Sequence, residues 1–105
     1  MLVVDFIYDD DCPNVEAARR NLRDALLTCN LPERWTEHRI GDPGVPARAR
    51  GFGSPTILVD GKDVAGAEAS AERCCRVYPT GGGVPSVELI CAALERANDS
   101  RPRSA

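Results

Sequence analysis

The sequence predicts a small α/β domain with a four-stranded mixed sheet and flanking helices, and its 105 residues suit a single domain. Three observations lead to this fold class. An apolar, β-branched run opens the chain, a helical period follows it directly, and a later apolar run ends in an Asp60-Gly61 turn. A strand followed by a crossover helix predicts a parallel pair of strands, whereas a two-residue turn predicts an antiparallel hairpin. The sheet should therefore contain both kinds of pairing.

The first two elements are predicted to be a strand and a helix. Residues 2–8 (LVVDFIY) are nearly all apolar, which is typical of a central strand covered on both faces. From Val15 onwards apolar residues recur at helical spacing. Pro13 suits the first helical position because proline lacks the N–H that would be unpaired there. This places Cys12 at the N-cap, and the helix is expected to end near Asn30.

The middle of the chain contains shorter elements. Residues 35–40 (WTEHRI) predict a polar second strand at an edge of the sheet, and one short helix is expected near residues 46–50. Residues 55–60 (PTILVD) predict a third, apolar strand. After the turn, residues 63–65 are expected to return as a short fourth strand.

The last helix is predicted to begin at Ser86, because a serine hydroxyl suits an N-cap. The apolar stripe of this helix consists of Val87, Ile90, Cys91 and Leu94. Residues 1–97 are therefore predicted to form the domain, and residues 98–105 are predicted to be a polar, disordered tail.

Composition argues against several classes of function. The formal net charge is −3, which is unfavourable for binding nucleic acid or for attachment to acidic lipid by charge. No apolar run approaches the roughly 20 residues of a membrane span. The first residues also lack the basic flank and cleavage site of a secretory signal. We therefore expect a cytoplasmic protein without nucleic-acid or membrane partners, whose thiols stay reduced.

Three short motifs, taken in order, resemble the thioredoxin superfamily. Residues 11–14 (DCPN) stand where that family has a cysteine between its first strand and first helix. Residues 54–56 (SPT) stand where it has a cis-proline facing that cysteine, and residues 64–67 (VAGA) match its small-residue step after the fourth strand. The resemblance covers about residues 2–97 and implies a thioredoxin-like fold.

Within that superfamily, the sequence is similar to small bacterial proteins with a single-cysteine Asp-Cys-Pro-Asn motif, some of which are linked to organomercurial lyases. Residues 53–61 (GSPTILVDG) and residues 75–78 (CRVY) carry this similarity. It implies a thiol-dependent redox protein whose reactive thiol is Cys12. The substrate groove beside that thiol would be formed by Pro13, Ser54, Pro55 and Thr56.

The position three residues after Cys12 departs from redox-active thioredoxins, because it holds Val15 instead of a second cysteine. A disulfide within the motif is therefore excluded, and a mixed disulfide would be resolved by Cys75 or by an external thiol. A helix N-terminus favours negative charge and hence the thiolate at Cys12, whereas the acidic residues 9–11 oppose it. We expect the helix end to dominate, because exposed carboxylates are screened by water.

Two further cysteines, Cys74 and Cys75, follow the fourth strand. Because consecutive strands of the predicted hairpin alternate in direction, the chain should leave Gly66 at the end of the sheet that carries Cys12. Cys75 also matches the bacterial motif, so it is favoured as the resolving thiol. Two alternatives stay open. One is binding of a soft metal or an organomercurial by Cys12 with Cys74 and Cys75, and the other is a non-catalytic module that holds a peptide in the groove.

The remaining chemistry-bearing residues are predicted to take no direct part in the thiol chemistry. Cys29 and Cys91 lie on apolar helical stripes and are expected to pack in the core. His38, in a polar edge strand, is expected to be solvated. Arg48 and Arg50 are expected to face solvent, with attraction of an acidic thiol such as glutathione as the alternative. No cofactor is predicted, and the expected partner is a thiol or disulfide substrate, which includes proteins.

Overall fold

The computed structural model describes residues 2–66 and 83–99. In chain order its elements are β1 (Val4–Tyr8), α1 (Val15–Thr28), β2 (Thr36–Arg39), a 3-10 turn (Ala47–Ala49), β3 (Thr56–Val59), β4 (Lys62–Asp63) and α2 (Val87–Asp99). The predicted small α/β architecture with a four-stranded mixed sheet is confirmed. No helix in this part of the chain is long and apolar enough to cross a bilayer.

β1 lies in the interior of the sheet, whose strand order is β2-β1-β3-β4. It pairs in parallel with β2, where Asp5 lies opposite Thr36. On its other side it pairs antiparallel with β3, where Val4 lies opposite Val59. β4 extends the sheet antiparallel to β3. The sheet is therefore mixed, with one parallel pair formed across the α1 crossover.

The hairpin turn between β3 and β4 follows its sequence. Asp60 and Gly61 have φ angles of 51° and 82°, and a two-residue type I′ turn requires positive φ at both positions. The Asp60 carboxylate accepts a hydrogen bond from the Val3 N–H at 2.8 Å. The Asp60 N–H in turn donates to the Val3 carbonyl at 2.7 Å. The predicted turn is confirmed, and it also fixes the start of the central strand.

The two faces of the sheet are covered differently. On one, which we name the helix-covered face, Phe6 and Ile57 pack in a core with residues of α1 and α2. On the other, the loop-covered face, Ile7 and Leu58 pack against residues 45–52. Successive side chains of a strand point to opposite faces, so Asp5 belongs to the loop-covered face.

Several element ends differ from the predictions. β4 is shorter than predicted, because the chain turns where the Gly66 N–H donates to the Asp63 carbonyl at 2.9 Å. α2 begins as predicted, since the Leu89 N–H donates to the Ser86 hydroxyl at 3.1 Å. It continues to Asp99, past the predicted end of the domain at residue 97. Residues 100–105 lie outside the described residues.

Candidate functional site

Cys12 lies in the turn between β1 and α1, not at the N-cap as predicted. Its N–H donates to the Asp9 carbonyl at 3.0 Å, and the Asp11 N–H donates to the Asp9 carboxylate at 3.3 Å. α1 begins at Val15 with Asn14 as its N-cap. Asp9 closes a separate turn ahead of the helix. Because of this turn, α1 begins at Val15 and not at Pro13, the predicted first helical position.

The Cys12 side chain is mostly buried, with 8% of its surface exposed. It packs with Val15 in the core of the helix-covered face. It also lines a shallow depression of about 240 Å³ together with Tyr8, Pro13 and Arg19. We name this depression, which Cys12 helps to line, the Cys12 depression.

Residues 54–56 lie beside the Cys12 turn. The Asp9 N–H donates to the Ser54 hydroxyl at 3.0 Å, which joins the two segments directly. Thr56 lies opposite Ile7 in the sheet, near the end of β1 that leads to Cys12. The Ser54–Pro55 peptide bond is cis. The predicted groove residues are thus gathered at the same end of the sheet as the cysteine.

The exposure of these groove residues is uneven. Ser54, Pro55 and Thr56 are buried, whereas Pro13 is exposed. The Thr56 hydroxyl donates to the Gly53 carbonyl at 2.7 Å, which secures the segment internally. Ser54 therefore supports the Cys12 turn from within, whereas Pro13 contributes to the surface.

A guanidinium group that the sequence did not indicate lines the Cys12 depression. Arg19 lies 5.5 Å from the ring centroid of Phe6 and 5.2 Å from that of Tyr8. It forms an ion pair with Glu16 and a two-point pair with Glu37 at 2.7 and 2.8 Å. Hydrogen bonding to Glu37 raises the pKa of Arg19. Two carboxylates share its charge, so little of that charge is left to stabilise a thiolate.

A buried carboxylate lies on the loop-covered face. The Asp5 side chain is 0% exposed, and one of its oxygens lies 2.7 Å from His38 Nε2. Arg48 donates to both carboxylate oxygens at 3.0 Å. Burial alone would raise the pKa of Asp5, but the hydrogen bonds and charges of Arg48 and His38 outweigh it and lower that pKa. The carboxylate is therefore held ionised inside the fold.

The prediction that His38 is solvated was wrong, whereas Arg48 is exposed as predicted but also binds a buried carboxylate. The His38 side chain is only 9% exposed, and Arg48, although 47% exposed, is directed to the Asp5 carboxylate. A signal was present in the sequence, because a lone aspartate inside an apolar strand requires partners once it is buried. Arg50 donates through Nε to the Val45 carbonyl at 2.9 Å, so it secures the covering loop.

The cysteines divide into two groups. Cys12, Cys29 and Cys91 are free thiols. Cys74 and Cys75, which were predicted to act with Cys12, lie outside the described residues. Within residues 2–66 and 83–99, no cluster of three or more histidine, cysteine or acidic side chains is arranged to hold a metal ion.

Comparison with known proteins gives no match. No family model fits the sequence, and neither curated proteins nor solved structures show a similar chain. Function is therefore inferred from the geometry of the Cys12 turn and its surroundings.

Proposed function

We propose that the chain is a thiol-dependent redox protein of thioredoxin-like fold, in which Cys12 is the reactive thiol. The observation that carries this proposal is the hydrogen bond from the Asp9 N–H to the Ser54 hydroxyl. It holds the turn that contains Cys12 against the segment that contains Pro55. These are the two segments that the resemblance to the superfamily pairs across a substrate site.

The order and direction of the strands support the same fold. A parallel pair joined through α1 and an antiparallel hairpin share the interior strand β1. Helices α1 and α2 contribute to one core on the same face of the sheet. This arrangement agrees with the domain that the three sequence motifs imply.

The proposed chemistry is thiol–disulfide exchange. The Cys12 thiolate, having lost its proton to water, attacks one sulfur of a disulfide substrate. The substrate S–S bond breaks, a mixed disulfide forms on Cys12, and the other half leaves as a thiolate that takes up a proton. An external thiolate can then attack the substrate sulfur of the mixed disulfide, which forms a new disulfide with that sulfur and releases Cys12 as a thiolate. Alternatively, the Cys75 thiolate attacks the Cys12 sulfur, the substrate half leaves as a thiolate, and a Cys12–Cys75 disulfide forms. Two external thiols then reduce that disulfide and are themselves oxidised to a disulfide.

Access to Cys12 restricts the substrate. Because Cys12 is mostly buried and lines the Cys12 depression, a substrate sulfur would approach it past Tyr8, Pro13 and Arg19. An exposed disulfide on an extended segment or on a small molecule satisfies this requirement, whereas a disulfide buried in a folded partner does not.

Trapping of the mixed disulfide tests the proposal. The full chain is exposed to oxidised glutathione, and adducts are mapped to individual cysteines by mass spectrometry over time. We expect a glutathione adduct on Cys12 that is transient in the wild type and accumulates in Cys75→Ser. The neighbouring substitution Cys74→Ser is the matched control and should leave the transient adduct unchanged.

The outcomes separate the alternatives. If both serine variants resolve the adduct at the wild-type rate, the resolving thiol is external. If Cys12 gains no adduct in any variant, the redox proposal is overturned. The burial of Cys12 favours a second candidate in that case, a non-catalytic module that binds a peptide at this end of the sheet. Stoichiometric binding of Hg(II) that is lost in both Cys12→Ser and Cys75→Ser would support the soft-metal alternative.

A further inference from the structure

Two cysteines that take no part in the chemistry proposed for Cys12 lie side by side where the two helices meet. Cys29 directly follows the last residue of α1, and Cys91 lies in the first half of α2. Cys29 lies near enough to the Cys91 thiol to contribute to the raised pKa of that thiol. Both side chains are half-buried and pack at the margin of the helix-covered core. They were predicted as separate core residues, and their adjacency is a tertiary feature.

A single carbonyl group holds the pair together. The Ala25 carbonyl accepts a hydrogen bond from the Cys29 N–H at 3.0 Å. The same oxygen accepts a hydrogen bond from the Cys91 thiol, whose sulfur lies 3.7 Å away. The main chain of one cysteine and the side chain of the other are thus fixed to a common atom. Because both side chains are half-buried, a small reagent can still reach them.

We propose that Cys29 and Cys91 form a reversible disulfide that joins the end of α1 to α2, with a small-molecule disulfide as the oxidant. The Cys29 thiolate attacks the oxidant, an S–S bond forms on Cys29, and one half of the oxidant leaves as a thiolate. The Cys91 thiolate then attacks the Cys29 sulfur and displaces the second half. The two thiols lose two protons and two electrons, and the oxidant is reduced to two thiols.

The surroundings of Cys91 disfavour its thiolate. Burial raises the pKa of the Cys91 thiol to about 11, with further contributions from Cys29, Glu95 and Glu88. Because only thiolates attack disulfides, this raised pKa slows attack by Cys91 at neutral pH.

This bond would restrict the unfolded chain strongly, because it connects residues far apart in the sequence. We expect oxidation to raise the melting temperature by about 10 °C, from the usual stabilisation by a disulfide in a small domain. The effect is independent of the function proposed for Cys12.

The test uses the full chain with Cys12, Cys74 and Cys75 replaced by serine, so that only the helix pair remains. After incubation with oxidised glutathione we expect an intact mass lower by two hydrogens and a peptide map that joins Cys29 to Cys91. The melting temperature should rise and return on addition of dithiothreitol. A matched chain that also carries Cys29→Ser should gain no internal bond and show no rise.

The wild-type chain, oxidised and mapped in the same way, decides the question if the triple variant does not fold. The bond between Cys29 and Cys91 should appear there too. Glutathione adducts that persist on Cys29 without closure, or only intermolecular bonds, would overturn the proposal. So would an internal bond that lowers the melting temperature.

Discussion

The two faces of the sheet are closed by different kinds of contact. On the helix-covered face, fully buried side chains such as Phe6 and Ile57 pack against α1 and α2. On the loop-covered face, apolar packing around Ile7 and Leu58 is combined with the ionised carboxylate of Asp5. Helices can be positioned by an apolar stripe, which is a non-directional signal. A loop without a repeating pattern needs directional contacts to fix its position.

The ion pairs of the two faces also differ, because one includes a buried carboxylate and the other a partly exposed one. Arg48, from the covering loop, binds a fully buried carboxylate through two hydrogen bonds. Arg19, from α1, binds the partly exposed carboxylate of Glu37 at the rim of the other face. An ion pair with a buried member is costly to break, because the remaining charge loses its solvation. An exposed pair contributes much less.

The largest expected effect concerns apolar packing on the helix-covered face. Leu22 of α1 is fully buried, so Leu22→Ala should lower the free energy of unfolding by about 2–5 kcal/mol in urea denaturation. Leu27, on the same helix, is 54% exposed. The matched substitution Leu27→Ala should change stability by no more than about 0.5 kcal/mol. Equal losses of unfolding free energy in the two variants would contradict the assignment of Leu22 to the buried face of α1.

The next effect concerns the buried carboxylate. Asp5→Asn preserves the shape of the side chain but removes its charge, so Arg48 and His38 lose their strongest acceptor. We expect a loss of about 1–3 kcal/mol at pH 7, measured by urea denaturation. Asp24→Asn, at an exposed position on α1, is the control and should have almost no effect. A loss no larger than that of the control would show that the network does not fix the loop.

The pH dependence of stability sharpens this test. The pKa of Asp5 lies below its ordinary value of 3.8 in the folded protein. A group with a lowered pKa stabilises the fold above its unfolded value, and this contribution is lost as the pH falls through the folded value. The difference in stability between the wild type and Asp5→Asn should therefore be constant above pH 5 and shrink below about pH 4. A difference that stays constant into acid would contradict an ionised Asp5.

The smallest expected effect concerns the rim of the helix-covered face. Glu37→Gln removes the two-point pair with Arg19 and should cost about 0.5 kcal/mol at low salt, with less in about 1 M salt. Glu33→Gln removes a longer, more exposed pair with Arg23 at 3.5 Å and should cost less still. If Glu37→Gln cost as much as Asp5→Asn, burial would not be what distinguishes the two faces.

The parts of the fold that follow from local sequence could be predicted. The apolar strand, the helical period after it and the Asp60-Gly61 turn each depend on neighbouring residues, and the structure contains all three. Ser86 caps α2 for the same reason, since the N-cap bond is made within one turn. Local rules failed at Asn14, because a turn closed by Asp9 competes with the helix for the start of α1.

The features that depend on tertiary contacts could not be predicted in the same way. Nothing near His38 in the sequence indicates that the strand register brings it to Asp5. The approach of Cys91 to Cys29 around the Ala25 carbonyl requires the packing of α1 on α2, which no local pattern specifies. The candidate site was predictable in part. Its two segments, Cys12 and the residues around Pro55, were recognised from sequence motifs. Their connection through Asp9 and the depth of Cys12 came only from the structure.

The interior position of β1 also has a consequence for synthesis on the ribosome. β1 leaves the ribosome well before β2, and its antiparallel neighbour β3 emerges later still. The first helix and β2 are therefore available to β1 early, whereas its antiparallel edge stays unpaired until β3 has been made. Pairing between distant segments carries a loop-closure cost that must be met before the contacts form. We expect the sheet to be completed only after β3 has emerged.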